Sequence, residues 1–371
     1  MSDLKKYHGV IPAFYACYDE EGNISPERVR GLTRHLIGKG VNGLYVGGSS
    51  GECIYQGVEE RKVVLENVMA EAKGKVVVIA HVACNNTADS QVLAAHAESL
   101  GVDAIASIPP IYFHLPEYGI AQYWNDISAA APNTDFVIYN IPQLAGVALT
   151  TSLLREMKKN PRVIGVKNSS MPTQDIQMWH DEDLLVFNGP DEQFISGLAM
   201  GACAGIGGTY AVMPELFLKV YEHFQKGEME AARQIQNEID HIIYKMCSAH
   251  GNLYAVQKAI LAKDGVPCGS VRKPMPALID SDAAVVDEAP PWLSSADPLE
   301  RPRGGRRLRP SHSVKIGDGC NAHLSSRKLQ GHEPPGGQHY LCAGDLQAQL
   351  RAGSGHRRYP RRALSAACGV V

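Results

Sequence analysis

The chain has 371 residues, 36 Lys+Arg against 39 Asp+Glu, and 44% hydrophobic residues, which supports a sizeable core and excludes a wholly disordered protein. Nine Cys in this length is ordinary usage and excludes a small disulfide scaffold, and no run of about 18 apolar residues offers a transmembrane helix. The opening MSDLKKYHGV has no apolar signal stretch, so the expected setting is the cytoplasm, with reduced thiols.

The net charge of −3 hides an asymmetry. Residues 291–371 hold 13 Lys+Arg and 5 Asp+Glu, which leaves 23 basic and 34 acidic residues before them. An acidic body precedes a basic tail.

Within the body, short β-branched runs alternate with helical patterns. The apolar runs are Val10–Cys17, Leu44–Gly48, Val76–Ala83, Ala104–Ile108, Phe136–Ile141, Val163–Lys167, Leu184–Phe187 and Ala204–Ile206. They are continuous rather than alternating, as expected of parallel strands buried on both faces. Ser25-Pro26-Glu27 reads as a cap, a first-turn proline and an acid opening a helix over Arg28–Lys39 that stops at Gly40. Val58–Ala72 and Thr87–Leu100 read as helices ending at Gly74 and Gly101. Eight strands with helices between them predict a (β/α)₈ TIM barrel over residues 1–212.

After the eighth strand the pattern is purely helical, over Pro214–Lys226, Met229–Ala249 and Asn252–Lys263. A C-terminal helical domain over 213–290 is the expectation. A last helix starts at Asp280 and is interrupted at Pro290-Pro291. Residues 291–371 lose all periodicity and contain 11 Gly and 7 Pro. They read as a disordered tail, and a switch inside a helix is what a shifted reading frame would produce. Their basic run Arg301–Arg309 also suits a nucleic-acid arm, but few aromatics are present to stack bases, so nucleic acid is not the expected partner.

The candidate chemistry lies where the strands end. Lys167 closes the run Val163–Val166. It is either a strand-end lysine paired with a carboxylate or a desolvated amine able to form a Schiff base. Tyr139, in Tyr139-Asn140-Ile141-Pro142, is either a packed core tyrosine or a proton relay. Gly47-Gly48-Ser49-Ser50-Gly51-Glu52 offers two hydroxyls and close backbone approach, suited to a carboxylate, or is a flexible loop; it is not a nucleotide phosphate loop. Asp191 and Glu192 either bind sugar hydroxyls or cap the next helix. No Cys/His spacing suggests a metal.

In this order, the serine loop, the Tyr139-Asn140-Ile141-Pro142 motif and Gly165-Val166-Lys167 resemble the N-acetylneuraminate lyase and dihydrodipicolinate synthase superfamily, over about residues 5–289. The resemblance implies a pyruvate-dependent class I aldolase with no cofactor beyond a covalent imine. It implies that Lys167 forms that imine, that Tyr139 relays the proton of the substrate C4 hydroxyl, and that Ser49 and Ser50 hold the pyruvate carboxylate. Tyr112, in Ile108-Pro109-Pro110-Ile111-Tyr112-Phe113, matches a tyrosine that reaches a neighbouring subunit's site in what is usually a homotetramer. Ser169, Gly189, Asp191, Glu192 and Gly208 fall where the lyase branch contacts the sugar.

Synthases of the superfamily carry an arginine two residues after the Tyr-Asn-x-Pro motif. Here Leu144 stands there, which resembles the lyase branch and implies cleavage of N-acetylneuraminate to pyruvate and N-acetylmannosamine. The alternative is another 2-oxo-acid aldolase, or a synthase-like enzyme, on the same scaffold. Two positions depart from the branch: Gly208 replaces a common serine and Pro190 a common aromatic. The interrupted last helix predicts lowered stability.

Overall fold

A computed structural model of the chain describes residues 3–288. The tail at 291–371, and every expectation placed on it, lies outside the described residues.

Eight parallel strands form a nearly closed barrel: β1 (Gly9–Pro12), β2 (Gly43–Val46), β3 (Val77–His81), β4 (Ala104–Ser107), β5 (Asp135–Asn140), β6 (Val163–Asn168), β7 (Leu185–Asn188) and β8 (Ala204–Gly207). Each of the eight apolar runs overlaps one of these strands. Neighbours follow chain order around the ring, and β1 pairs with β8. Between β1 and β2 the seam is stitched by Asn42 N–H donating to Val10 O (2.9 Å) and Phe14 N–H to Tyr45 O (2.8 Å).

The first run is longer than its strand, for a physical reason. Ala13 N–H donates to Gly207 O on one side and Phe14 N–H to Tyr45 O on the other. The chain then leaves the barrel ladder, with Tyr15–Cys17 buried as in a strand but outside any strand, before Tyr18 bridges antiparallel to Ile24.

Alternation is present but hidden, because both strand faces are apolar. Ile11, Ile79, Val137, Phe187 and Ile206 fill the barrel interior. Val10, Val78, Phe136, Val166 and Val186 point outward into the layer beneath the helices.

The helices between strands are α1 (Pro26–Gly38), α2 (Val58–Ala72), α3 (Thr87–Leu100), α4 (Glu117–Ala129), α5 (Pro142–Ala145), α6 (Thr151–Met157), α7 (Gln174–His180) and α8 (Phe194–Ala199). Ser25 Oγ caps α1 by accepting from Arg28 N–H (3.4 Å), and Gly40 follows in the left-handed region at φ +82°. The short spacings before β7 and β8 correspond to the short helices α7 and α8.

Among the described residues four helices follow β8: α9 (Pro214–Gln225), α10 (Met229–Cys247), α11 (Leu253–Lys263) and α12 (Ala283–Asp287). The entry to α11 is fixed by Asp282, whose carboxylate accepts from the backbone N–H groups of His250 (2.7 Å), Gly251 (3.0 Å) and Ile279 (3.0 Å).

Candidate active site

Two adjacent strands carry the central pair. β5 and β6 are in register such that Tyr139 lies opposite Lys167, and Asn140 opposite Asn168. Inward-pointing positions alternate along each strand, so both Tyr139 and Lys167 face the barrel interior at its C-terminal end. The Lys167 amine stands 3.6 Å from the centre of the Tyr139 ring and 5.2 Å from that of Tyr45. It donates to Ser169 Oγ at 3.2 Å.

The strand ends are pinned by the asparagines. Asn140 Nδ2 donates to Asn168 Oδ1 (2.8 Å), which also accepts from Trp179 Nε1 (3.0 Å), and Asn140 Oδ1 accepts from Leu149 N–H (3.0 Å). These buried bonds lock the backbone next to both Tyr139 and Lys167.

Lys167 is only 4% exposed. Burial pulls its amine down to about 7, with Asp191 opposing. The same burial pushes the Tyr139 phenol up to about 12, against the pull of the Ser49 and Ser169 hydroxyls. At neutral pH the site therefore holds a substantial fraction of free amine beside a protonated phenol. No carboxylate makes a salt bridge to Lys167 among the described residues, so the strand-end ion-pair reading does not describe it.

The serine loop forms a single 3₁₀ turn, Ser49–Gly51. Ser50 is buried, and Ser49 is half-buried beside Tyr139. A Cβ added at Gly208 would lie 3.1 Å from Ser50 Oγ and 3.7 Å from the Tyr254 ring, which places Gly208 against the serine loop. The Gly208 carbonyl is held by Tyr15 OH at 2.5 Å.

Asp191 follows β7, yet it does not cap the helix after it. Its Oδ2 accepts from Thr209 N–H and Thr209 Oγ1–H, both at 2.6 Å. Burial pushes its carboxyl up to about 7, and the neighbouring Glu192 adds to this. Glu192 is half-buried and also raises Asp240, on α10, whose carboxyl stands at about 6 chiefly through burial. Gly189 has no room for a side chain: a Cβ would collide with Ser169 Oγ and lie 2.7 Å from Asn168 O. Lys167, Tyr139, Ser49, Ser50, Ser169, Gly189, Asp191, Glu192 and Gly208 thus gather at one end of the barrel.

Tyr112 stands apart from them within this chain. It is 85% exposed, has φ +79°, and meets Phe113 edge-on at 5.0 Å. Both line a surface groove of about 720 Å³ with Tyr118 and Leu115, and none of Lys167, Tyr139, Ser49 or Ser50 lines it. Leu144 is exposed on α5.

Sequence reasoning missed several residues around the site. Tyr45 and His81 pack against Tyr139 at ring separations of 5.8 and 6.0 Å. His81 Nδ1 bonds Gly47 O at 2.8 Å, and burial pulls the imidazole down to about 3, so it is neutral. Thr209 anchors Asp191, and Tyr254 comes from α11. Among the described residues no group of three His, Cys, Asp or Glu side chains is placed to hold a metal.

Residues 6–288 match the family model of the dihydrodipicolinate synthetase family. The chain is 68% identical over 300 residues to the N-acetylneuraminate lyase of Mediterraneibacter gnavus, covering 80% of this chain and 95% of that protein. A solved structure described as the Ruminococcus gnavus sialic acid aldolase catalytic lysine mutant superposes with a TM-score of 0.77 at 69% identity, covering 78% of this chain and 96% of the other. The Clostridium difficile CdNal complex with mannosamine superposes at 0.74 with 29% identity, covering 76% and 98%.

Proposed function

The chain belongs to the dihydrodipicolinate synthetase family, and we propose on that footing that it is an N-acetylneuraminate lyase, cleaving N-acetylneuraminate reversibly to N-acetylmannosamine and pyruvate. The observation that carries the chemistry is the buried Lys167 amine, pulled down to about 7 and set face-on to Tyr139. The lyase and aldolase names of its relatives carry the choice of substrate. They do not favour the alternative of another 2-oxo-acid aldolase or a synthase-like enzyme.

The uncharged Lys167 amine attacks the C2 carbonyl of the open-chain sugar acid and loses water to give a protonated imine. Ser49 and Ser50 hold the C1 carboxylate. Tyr139 accepts the C4 hydroxyl proton while its own moves onto Ser49, whose hydroxyl passes one on in turn, and this relay supplies the proton that C3 later regains. The C3–C4 bond breaks, its electron pair moves into the imine to give an enamine, and N-acetylmannosamine leaves as the aldehyde. C3 regains a proton, and hydrolysis of the imine releases pyruvate and restores Lys167. Ser169, Gly189, Asp191, Glu192 and Gly208 line the side toward the sugar. The cycle needs no cofactor beyond the imine.

Tyr112 completes a neighbour's site in a homotetramer. The exposed aromatic patch of Tyr112, Phe113 and Tyr118 supports such a contact. The pathway served is sialic acid breakdown. Incubation with N-acetylneuraminate tests the activity: equal amounts of pyruvate and N-acetylmannosamine are expected, and none from Lys167→Met. Release of neither product by the unaltered chain would refute the reading.

A further inference from the structure

The acidic residue that ends the serine loop has no part in the chemistry above, yet both its backbone and its side chain are tightly held. Glu52 comes directly after Gly51 and sits in the left-handed region at φ +53°, where residues other than glycine are uncommon. Its side chain is 0% exposed and pairs with Lys258 Nζ at 2.6 Å, itself 0% exposed. The other carboxylate oxygen accepts from Arg272 N–H (2.9 Å) and Tyr18 OH (3.1 Å). Lys258 donates also to Ser270 O (2.8 Å) and lies over the Tyr18 ring at 4.7 Å. Gln56 braces the same turn, donating to Gly51 O (2.9 Å) and to Tyr18 OH (3.2 Å).

Lys258 lies on α11, and so does Tyr254, one turn earlier on the same face. Tyr254 packs beside Gly208 and Ser50, and the Ser50 hydroxyl bears on its phenol. One helix therefore touches the loop at two points, with Tyr254 at Ser50 and Lys258 at Glu52. A buried ion pair is a poor way to gain stability, because desolvation offsets the attraction and apolar residues of similar volume serve as well or better. What it supplies is geometry: a fixed length, a fixed direction and a penalty for any other arrangement.

We propose that Glu52 and Lys258 are positioning residues, whose buried pair holds the Ser49–Gly51 turn in the shape that receives a substrate carboxylate, making α11 part of the active site. The proposal rests on the aldolase reading in taking that carboxylate to be pyruvate's.

The test uses the full chain. Pyruvate is titrated in the presence of borohydride, and the concentration giving half-maximal adduct on Lys167 is read by mass. Lys258→Met leaves Glu52 unpaired and is expected to unfold readily. The double variant Glu52→Gln, Lys258→Met keeps the shape and the hydrogen bonds to Tyr18 and Arg272 without either charge. It is expected to melt cooperatively, to need at least tenfold more pyruvate for half-maximal trapping, and to keep kcat within about threefold at saturation. A purely structural pair would change the melting temperature and leave half-saturation in place. Half-saturation within twofold of the unaltered chain would overturn the proposal. So would loss of cooperative melting in the double variant, since the pair would then serve the fold. Absence of any adduct in the unaltered chain would instead count against the aldolase reading.

Discussion

Lys167 and Tyr139 occupy directly opposed register positions on β6 and β5, with the amine 3.6 Å from the centre of the phenol ring. Neighbouring strands of one parallel sheet hold two side chains at a fixed separation more rigidly than loops can, and the Asn140–Asn168 bond locks the next residue pair along. The two side chains thus share one frame.

Removing the phenolic hydroxyl separates their roles. In Tyr139→Phe the amine remains buried, so pyruvate should still be trapped on Lys167 by borohydride. Cleavage should fall by about 10²–10⁴, the range for loss of a positioned acid–base group. Steady-state pyruvate release compared with adduct mass checks this; loss of both would mean that Tyr139 is needed for imine formation itself.

The depressed amine makes a statement about stability. Lys167 releases its proton near pH 7 when folded, against about 10.4 when unfolded. Below pH 7 both states carry the charge, and the folded state bears the full cost of burying it. Between about 7 and 10.4 the unfolded state binds the extra proton, so stability rises with pH. Lys167→Met removes the burden and should stabilise the protein by about 4 kcal/mol at pH 6–7, a gain that vanishes near pH 10. Denaturant melts of both proteins across this range test the sign.

The same shift sets the pH dependence of turnover. Imine formation needs the neutral amine, so kcat/KM should climb from pH 5 to about 7 and then level. An ordinary lysine would keep the profile rising toward pH 10. The burial-raised carboxyl of Asp191 titrates in the same region, so the observed midpoint belongs to the coupled site.

Two glycines should respond differently. Gly189→Ala drives a Cβ into Ser169 Oγ and toward Asn168 O, beside Lys167. It should cost about 1–3 kcal/mol of stability and most of the activity. Gly208→Ala sets its Cβ 3.1 Å from Ser50 Oγ at an ordinary φ of −73°. It should leave the melting temperature nearly unchanged and raise KM several-fold through the serine. Thermal melts and steady-state kinetics of the two variants make the comparison.

The barrel was legible because its strands are continuous apolar runs and its helices begin and end on caps and glycines such as Ser25 and Gly40. The overrun at Phe14–Cys17 shows the limit: burial on both sides reads as strand whether or not the ladder continues. The gathering of Lys167, Tyr139, Ser50 and Asp191 could be anticipated because each lies near the C-terminal end of an apolar run or in the loop that follows it. Tyr254 and Lys258 could not, since α11 reads as an ordinary amphipathic helix and the partner of Lys258 lies 206 residues away. Glu52 stands in the serine motif, but nothing in the motif marks its burial against that lysine. Asp191 sits where a helix cap would, but Thr209, just past the end of β8, donates to its carboxylate instead.

The most direct test of the account is borohydride trapping with N-acetylneuraminate, followed by peptide mass mapping. A pyruvate-sized adduct on Lys167, absent from Lys167→Met, is the predicted result, because it requires both imine formation and C3–C4 cleavage. An adduct of the intact sugar acid alone, an adduct on another lysine, or none at all would contradict it.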